Sequence, residues 1–420
     1  MHSMGAMTST LADYRVAFSI APPQNPWFTV DDVPDLTGRV ALVTGGNRDA
    51  DLSRKGRGGE DVQVIALKMD LSDLESVAQA AKVFLSMGAM TSTLADYRVA
   101  FSIAPPQNPW FTVDDVPDLT GRVALVTGGN RGCGFVAAKA LALHGARVYI
   151  ASRDDKKCQT AADKIKEEVG GKNVQVIALK MDLSDLESVA QAAKVFLSKE
   201  KTLHILILNA AVQEEPATAR TKQGYGLHFG INVLGHFLLT QYLVPTLLST
   251  AQTTAPGSVR IVTVASSAHY FAPAPGIDFS SLGRRADQLC TDQGKAWSPN
   301  TCYGHSKLAN ILVSNERARR YADNGVYCLS LHPGNILTSD EDSWLARQLL
   351  WPADPYGAIN MLYCATAPAA QNGAYVVPWA RAHPPHPHAQ DTAMAAQLWA
   401  WLEAQVRVFE ARSANPNQIN

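Results

Sequence analysis

Between residues 122 and 410, short apolar runs alternate with longer stretches in which apolar residues recur every three or four positions. The short runs predict buried strands, and the longer spacing predicts amphipathic helices. Strands are predicted at 122–127, 147–152, 174–182, 203–209, 260–266, 326–333 and 374–377. Helices are predicted at 135–144, 154–169, 184–198, 224–250, 303–323, 343–366 and 392–410. This alternation predicts an α/β fold with a doubly wound parallel sheet and helices on both faces.

Small and polar residues mark where several of these helices begin and end. Gly145 follows the first predicted helix, and Gly170 and Gly171 follow the second. Glycine at these positions is typical of a helix C-terminus, because it adopts the left-handed backbone conformation without strain. Ser184 and Glu187 have the spacing of a capping box, which predicts the start of the third helix.

The chain of 420 residues repeats part of itself. Residues 4–48 recur letter for letter at 87–131, and residues 62–86 recur at 174–198. The first copy lacks the segment that supplies the first helix, the second strand and most of the second helix in the complete copy. A parallel sheet needs cover on both faces, so we expect the first copy to pack poorly or to borrow contacts from the main domain.

We therefore divide the chain into four parts: a truncated partial duplicate at 1–86, an N-terminal arm at 87–116, the main domain at 117–410 and a polar tail at 411–420. A partial duplication, a faulty gene model and a selected accessory segment all remain open as origins of the first copy. Its glycine turn runs into Asp49, whose charge would repel a pyrophosphate. We expect no independent cofactor binding by this copy.

Composition excludes several classes of protein. Hydrophobic residues make up 46% of the chain and charged residues 18%, which is typical of a globular protein. The formal net charge of −1 argues against a broad nucleic-acid-binding surface. No uninterrupted apolar run approaches the length of about 20 residues that a transmembrane helix needs. The cysteines lack the C-x-x-C pattern and are too sparse for a disulfide framework, so we expect reduced thiols in a cytoplasmic protein.

A glycine-rich turn lies between the first predicted strand and the first predicted helix. Glycines there permit a tight turn and a close approach of a pyrophosphate, and the helix N-terminus offers free N–H groups. In this strand–turn–helix context the pattern predicts a dinucleotide-binding Rossmann fold. The candidate cofactor-binding residues of the turn are Gly128, Asn130, Arg131, Gly132, Cys133 and Gly134.

The residues after the second strand favour NADP over NAD. Ser152 and Arg153 stand where a dinucleotide fold meets the adenosine ribose. An acidic residue there would bind the 2′-hydroxyl of NAD, whereas a guanidinium suits the 2′-phosphate of NADP. Arg131, in the glycine turn, can supply a second cation.

Further candidates follow the third and fourth strands. Asp182 and Leu183 end the third strand, and Asn209, Ala210 and Ala211 end the fourth. Ligands of doubly wound sheets bind at the carboxyl ends of the strands. Asp182 can alternatively serve only to begin the next helix.

Tyr303 and Lys307 are spaced to lie on one face of a helix. A nearby ammonium favours the phenolate, which predicts a lowered pKa for the Tyr303 hydroxyl. Such a pair can donate a proton to a carbonyl oxygen, or accept one from an alcohol, near neutral pH. No metal ligand set is expected, because the prolines among His383, His386 and His388 predict an extended loop.

Taken together, these motifs closely resemble the short-chain dehydrogenase/reductase family, in particular the branch of retinol dehydrogenases and WW domain-containing oxidoreductases and their fungal relatives. The likeness spans about residues 117–410. Its segments are TGGNRGCG, ASRD, MDLSDLESV, ILILNAAV, HFGINVLGHFLLT, RIVTVASSAH, CYGHSKLANILVSNE and LHPGNILT.

The resemblance implies a role for each matching residue. Tyr303 would be the general acid/base, Lys307 would lower its pKa and hold the nicotinamide ribose, and Ser266 would bind the substrate oxygen. Asn232 would support a water and proton relay. Ser267 competes with Ser266 as the catalytic serine, although the strand register favours Ser266. The residues implied at the nicotinamide end are Pro333, Gly334, Asn335, Ile336 and Thr338.

The family likeness predicts an NADP-dependent oxidoreductase that interconverts an alcohol and an aldehyde or ketone by hydride transfer. The partner is then a small-molecule substrate, and a homodimer is compatible with the sequence. The alternative is a catalytically silent dinucleotide-binding sensor or scaffold. An apolar segment after Thr338 predicts either a lid over a lipophilic substrate or ordinary core packing. Its residues are Trp344, Leu345, Leu349, Leu350 and Trp351.

Overall fold

The computed structural model describes residues 109–171, 173–274, 276–282, 297–337 and 350–414. The truncated partial duplicate at 1–86 and the first part of the arm lie outside the described residues. The strands are β1 (Val123–Thr127), β2 (Arg147–Ser152), β3 (Val176–Lys180), β4 (Ile205–Leu208), β5 (Val259–Val264), β6 (Val326–Leu331), β7 (Ile336–Leu337), β8 (Trp351–Pro352), β9 (Tyr375–Val377) and β10 (Arg381–Ala382). The helices are α1 (Gly132–Leu143), α2 (Asp155–Val169), α3 (Leu186–Lys199), α4 (Leu227–Ala251), α5 (Pro299–Tyr321), α6 (Ala358–Thr366) and α7 (Thr392–Ala414).

The main sheet has the strand order β10-β9-β6-β5-β4-β1-β2-β3. Neighbouring strands from β3 to β9 pair in parallel, and β10 alone in this sheet runs antiparallel, at its edge. This is the predicted doubly wound parallel sheet. The order of succession reverses between β1 and β4, and ligands of such sheets bind beside that switch point.

Strand side chains alternate between two apolar cores, one on each face of the sheet. Leu125 belongs to the core formed with α3, α4, α5 and α7, whereas Val126 belongs to the core formed with α1, α2 and α6. Because both faces are covered, the central strands are mostly apolar, and every residue of β1 and β5 is buried.

Several predicted boundaries need correction. Helix α1 begins at Gly132 rather than at 135, and α5 begins at Pro299, where Ser298 caps the helix by accepting the Thr301 N–H. Residues 351–352 form β8, paired with β7, rather than helix. Helix α7 continues to Ala414, so the first residues of the predicted polar tail are helical.

The predicted capping box at Ser184 is wrong. The Ser184 hydroxyl donates to Asp182 Oδ1 at 2.7 Å instead of capping the helix. Asp185 is the cap residue of α3, and its carboxylate accepts the Glu187 N–H at 3.1 Å. The carboxylate of Asp182, two residues away, therefore competes successfully for the serine.

Helix α4 is long and apolar enough to cross a membrane by length and composition alone. The search for uninterrupted apolar runs did not detect α4, because glycines, threonines and Pro245 interrupt its apolar residues. Of its most apolar window, 67% is buried inside the fold. Here α4 is a core helix packed against the sheet.

Candidate active site

The carboxyl ends of the central strands open onto a cleft of about 1170 Å³. Nearly all the described residues that sequence analysis assigned to the site line this cleft. Asn232 is the exception, and Thr338 lies outside the described residues. The predicted residues that line it are Gly128, Asn130, Arg131, Gly132, Cys133, Gly134, Ser152, Arg153, Asp182, Leu183, Asn209, Ala210, Ala211, Ser266, Tyr303, Lys307, Pro333, Gly334, Asn335 and Ile336.

The glycine turn between β1 and α1 forms a tight cradle. Gly128 has a φ of +68°, a conformation that disfavours any side chain. A Cβ on Gly134 would lie 2.5 Å from the Gly128 carbonyl oxygen. The turn therefore needs glycine at both positions to bring its backbone close to a ligand at the N-terminus of α1. This geometry fits the pyrophosphate of a dinucleotide.

A hydrogen-bond cluster joins the ends of β1 and β4. The Thr127 hydroxyl accepts the N–H groups of Asn209 and Ala210 at 2.9 and 3.0 Å, and Asn209 Nδ2 donates to the Thr127 carbonyl at 2.9 Å. His236 Nε2 lies 2.8 Å from the Thr127 hydroxyl. Burial lowers the pKa of His236 to about 3, so the ring is neutral. Sequence analysis missed both Thr127 and His236, although a histidine in a largely apolar helix is a usable signal.

Asn232 lies in a π-helical turn of α4 and is fully buried. Its Oδ1 accepts the Val212 N–H at 2.9 Å, and its Nδ2 donates to the Val212 carbonyl at 3.1 Å and to Ser306 Oγ at 3.0 Å. All three contacts are made within the protein. The amide thus ties α4 to the segment after β4 and to α5, and it does not line the cleft. The relay role of Asn232 stays a prediction.

Three exposed cations lie around the end of the cleft beside β2: Arg131, Arg153 and Lys157. Asp154 also lies here, but its carboxylate caps α2 by accepting the Lys157 N–H at 3.0 Å. Lys157 is a cation that sequence analysis missed. Its position in the first turn of α2, four residues after Arg153, was the available signal.

Asp182 lies between the cleft and the start of α3. It lines the cleft, and its Oδ1 accepts the N–H of Ser184 at 2.9 Å in the turn that precedes α3.

Tyr303, Ser266 and Lys307 converge at the other end of the cleft. Lys307 Nζ donates to the Val264 carbonyl at the end of β5, at 2.7 Å, and lies 5.4 Å from the centre of the Tyr303 ring. Ser266 lies two residues after the end of β5, and its hydroxyl accepts the Ala268 N–H at 3.1 Å. Between the two candidate serines, Ser266 is the one whose side chain interacts with the Tyr303 hydroxyl.

Burial controls the ionisation of both groups. It raises the pKa of Tyr303 to about 12, against an opposing interaction with Ser266, and it lowers the pKa of Lys307 to about 7. The prediction that the ammonium lowers the pKa of Tyr303 is therefore wrong for this state of the protein. Desolvation disfavours the charged form of each group and is the largest cause of both shifts. Tyr303 holds its proton at neutral pH and can donate it.

Gly304 lets the turn that carries Ser266 pack directly on α5. A Cβ at this position would lie 2.7 Å from the Ala268 carbonyl oxygen. The absence of a side chain beside Tyr303 therefore brings the serine and the tyrosine together.

Apolar side chains form part of the cleft wall. Phe271, whose backbone lies against Gly304 next to Tyr303, is 59% exposed, and Val212, Ile336 and Leu350 also line the cleft. Of the segment predicted as lid or core, Leu350 lines the cleft. Trp351 packs instead in an aromatic cluster with Tyr356 and Trp379, at ring-centre distances of 4.6 and 5.6 Å. Trp344, Leu345 and Leu349 lie outside the described residues.

The three histidines at 383–388 lie in a segment with a short 3-10 turn, Pro387–Gln390, where an extended loop was predicted. The His386 and His388 rings lie 4.7 Å apart. In the described part of the chain, no group of three or more His, Cys, Asp or Glu side chains could hold a metal ion.

Comparisons with known proteins agree with the fold and the cleft. Residues 122–278 match the short chain dehydrogenase family model. The chain is 41% identical over 313 residues to a short-chain dehydrogenase/reductase of Armillaria gallica, covering 73% of this chain and 96% of the relative. It is 38% identical over 313 residues to the WW domain-containing oxidoreductase of Danio rerio, covering 72% of each. A crystal structure of an uncharacterized protein from Mycobacterium paratuberculosis superposes with a TM-score of 0.54 at 32% identity, covering 71% of this chain and 98% of that one.

The chain therefore belongs to the short-chain dehydrogenase/reductase family of oxidoreductases, which use nicotinamide dinucleotide cofactors.

Proposed function

We propose that this protein is an NADP-dependent oxidoreductase that interconverts an alcohol and an aldehyde or ketone, with Tyr303 as the general acid/base. One observation carries the proposal. Tyr303, Ser266 and Lys307 meet at one end of a single cleft, and the glycine turn and a group of cations lie at the other. This arrangement supports the binding of a dinucleotide along the cleft, with Tyr303 as the proton donor beside the reactive end of that cofactor.

Some of the described residues would bind the cofactor, and others would take part in proton transfer. The glycine turn and the N-terminus of α1 would hold the pyrophosphate, and residues 333–336 would hold the nicotinamide end. When bound, the nicotinamide supplies or accepts the hydride. In the reductive direction, the protonated Tyr303 hydroxyl donates its proton to the carbonyl oxygen, and the Ser266 hydroxyl hydrogen-bonds that oxygen as charge develops. Lys307 stands beside the tyrosine ring and would hold the ribose.

The preference for NADP rests on charge at the β2 end of the cleft. Arg131, Arg153 and Lys157 are exposed there, where the adenosine ribose would lie. The nearby carboxylate of Asp154 is occupied as the cap of α2. Three cations beside a carboxylate that caps a helix suit a 2′-phosphate better than a 2′-hydroxyl.

The substrate that best suits the cleft is a small to medium lipophilic carbonyl compound or alcohol. The cleft wall presents the exposed Phe271 ring together with Val212, Ile336 and Leu350. Apolar surface of this kind gains free energy when it is removed from water by an apolar ligand.

The test is NADPH oxidation by the full chain against a panel of aldehydes and ketones of increasing apolar size. The wild type should turn over part of the panel, and Tyr303→Phe should reduce turnover about a hundredfold or more while NADPH binding persists. Tyr327→Phe, the same change on β6 outside the cleft wall, is the matched control and should keep normal activity. Tight NADPH binding without turnover of any carbonyl would contradict the proposal and favour the sensor.

A further inference from the structure

His269 lies three residues after Ser266, in the 3-10 turn Ser267–Phe271, and its side chain is 1% exposed. Its ring is hydrogen-bonded on both sides. Nε2 lies 3.1 Å from the His386 backbone nitrogen, and Nδ1 lies 2.6 Å from the Ser266 carbonyl oxygen. A backbone N–H can only donate, so Nε2 must accept. Nδ1 therefore carries the proton and donates it to the Ser266 carbonyl.

We propose that His269 is a positioning residue for the catalytic serine, and that it couples Ser266 to the segment around His386. This inference rests on the proposed function. His269 does not line the cleft described above. It acts on the reaction through Ser266 alone.

Contacts on the side of His269 away from Ser266 link this serine to the helix that carries Tyr303. The segment that begins at His386 is attached to α5, where Asn315 Nδ2 donates to the Ala389 carbonyl at 2.9 Å. Helix α5 also carries Tyr303. Ser266 is thus connected to the helix of Tyr303 by its own turn packed at Gly304 and by the path through His269 and His386.

The ring of His269 is held in its plane by aromatic neighbours. The Tyr270 ring centre lies 4.2 Å away and that of Tyr375 lies 5.3 Å away. Burial lowers the pKa of His269 to about 4 with a smaller contribution from the nearby His386 and His383, against the opposing hydrogen bond to the Ser266 carbonyl. The neutral ring keeps one donor and one acceptor at neutral pH, as both hydrogen bonds require.

Two conservative substitutions separate the two hydrogen bonds. The amide nitrogen of His269→Asn can reach the position of Nδ1 and donate to Ser266, whereas the amide of His269→Gln reaches the position of Nε2 and can only replace the acceptor for His386. Both variants are assayed in the full chain with a carbonyl that the wild type reduces. NADPH affinity and thermal stability are measured on the same samples.

We expect His269→Gln to lower kcat about tenfold or more, because a small misplacement of Ser266 reduces turnover steeply, and His269→Asn to stay within about threefold of the wild type. NADPH affinity should be the same in both. The alkaline limb of the pH–rate profile should move upward only in His269→Gln, since a displaced Ser266 no longer lowers the pKa of Tyr303. If both variants lost kcat equally, and each loss matched the loss of thermal stability, the inference would be overturned.

The imidazole ¹⁵N spectrum of the wild type tests the geometry without any assay. It should show His269 as the neutral tautomer protonated at Nδ1, and a ring protonated at Nε2 would overturn the inference. A wild type without turnover would instead count against the proposed function, so the two failures are distinguishable.

Discussion

Lys307 and Val264 are joined by a hydrogen bond of 2.7 Å between the lysine ammonium and the main-chain carbonyl that ends β5. The lysine is 1% exposed, so the surrounding helix and sheet leave the ammonium with little solvation. Burial lowers its pKa from 10.5 to about 7. The charged form of this residue is therefore unfavourable in the folded protein. The hydroxyl groups of a dinucleotide ribose in the cleft would stabilise the ammonium.

We predict that Lys307→Met stabilises the protein without cofactor while it abolishes turnover. Because the folded pKa is lower than the unfolded pKa, the unfolded state binds more protons between pH 7 and 10.5. The loss of folding free energy that the buried lysine causes in the wild type is complete below pH 7. Above pH 7 this loss declines by up to roughly 1.4 kcal/mol per pH unit. Denaturant unfolding from pH 7 to about 9.5 should show that Lys307→Met is more stable than the wild type, by a difference that shrinks as the pH rises. A constant or rising difference would contradict the assigned pKa.

Asn232→Ala should lower the stability of the fold as well as its activity. The substitution leaves the Val212 N–H and carbonyl and the Ser306 hydroxyl without their partner, at a cost of about 2–4 kcal/mol. Urea unfolding measures this loss, and Asn324→Ala, an exposed control, should change stability little. Lost activity with unchanged stability would instead support a relay role for the amide.

Gly134→Ala should weaken NADPH binding about tenfold or more, because the added methyl group meets the Gly128 carbonyl and opens the phosphate turn. The control is Cys133→Ala in the same turn, which removes a buried side chain without adding one. It should keep NADPH affinity within about threefold, since the turn contributes backbone N–H groups. Titration of NADPH fluorescence measures both. Equal affinities in the two variants would show that the turn does not contact the phosphates.

Arg153→Glu should reverse the coenzyme preference. We expect kcat/KM for NADPH to fall about tenfold or more, because a charge-assisted hydrogen bond to the 2′-phosphate is replaced by repulsion. The value for NADH should hold or rise. Lys156→Glu makes the same charge change at an exposed residue that is not part of the cleft wall and should affect both coenzymes equally. Parallel losses for NADPH and NADH in Arg153→Glu would argue against NADP selectivity at this position.

Sequence analysis could predict the sheet, the glycine turn and the Tyr303–Lys307 pair because each depends on local spacing. The parallel arrangement follows from apolar runs such as β4, whose residues are all buried. The cleft then brings together residues at the ends of these strands, as the topology requires.

The parts that were missed depend on contacts between distant residues or on burial. His236 meets Thr127 across 109 positions, and His269 meets His386 across 117. No local sequence pattern indicates either of these contacts. The pKa of Tyr303 was predicted in the wrong direction because spacing shows a nearby ammonium but not the desolvation that both groups undergo.

The most direct test of the account follows the hydride itself. The full chain is incubated with NADPH deuterated at the transferable position of the nicotinamide and with a carbonyl compound from the panel. The account predicts one deuterium on the carbinol carbon of the product for each NADPH oxidised, and formation of labelled alcohol about a hundredfold or more slower with Tyr303→Phe. An alcohol formed without deuterium, or labelled alcohol formed at an undiminished rate by Tyr303→Phe, would contradict it.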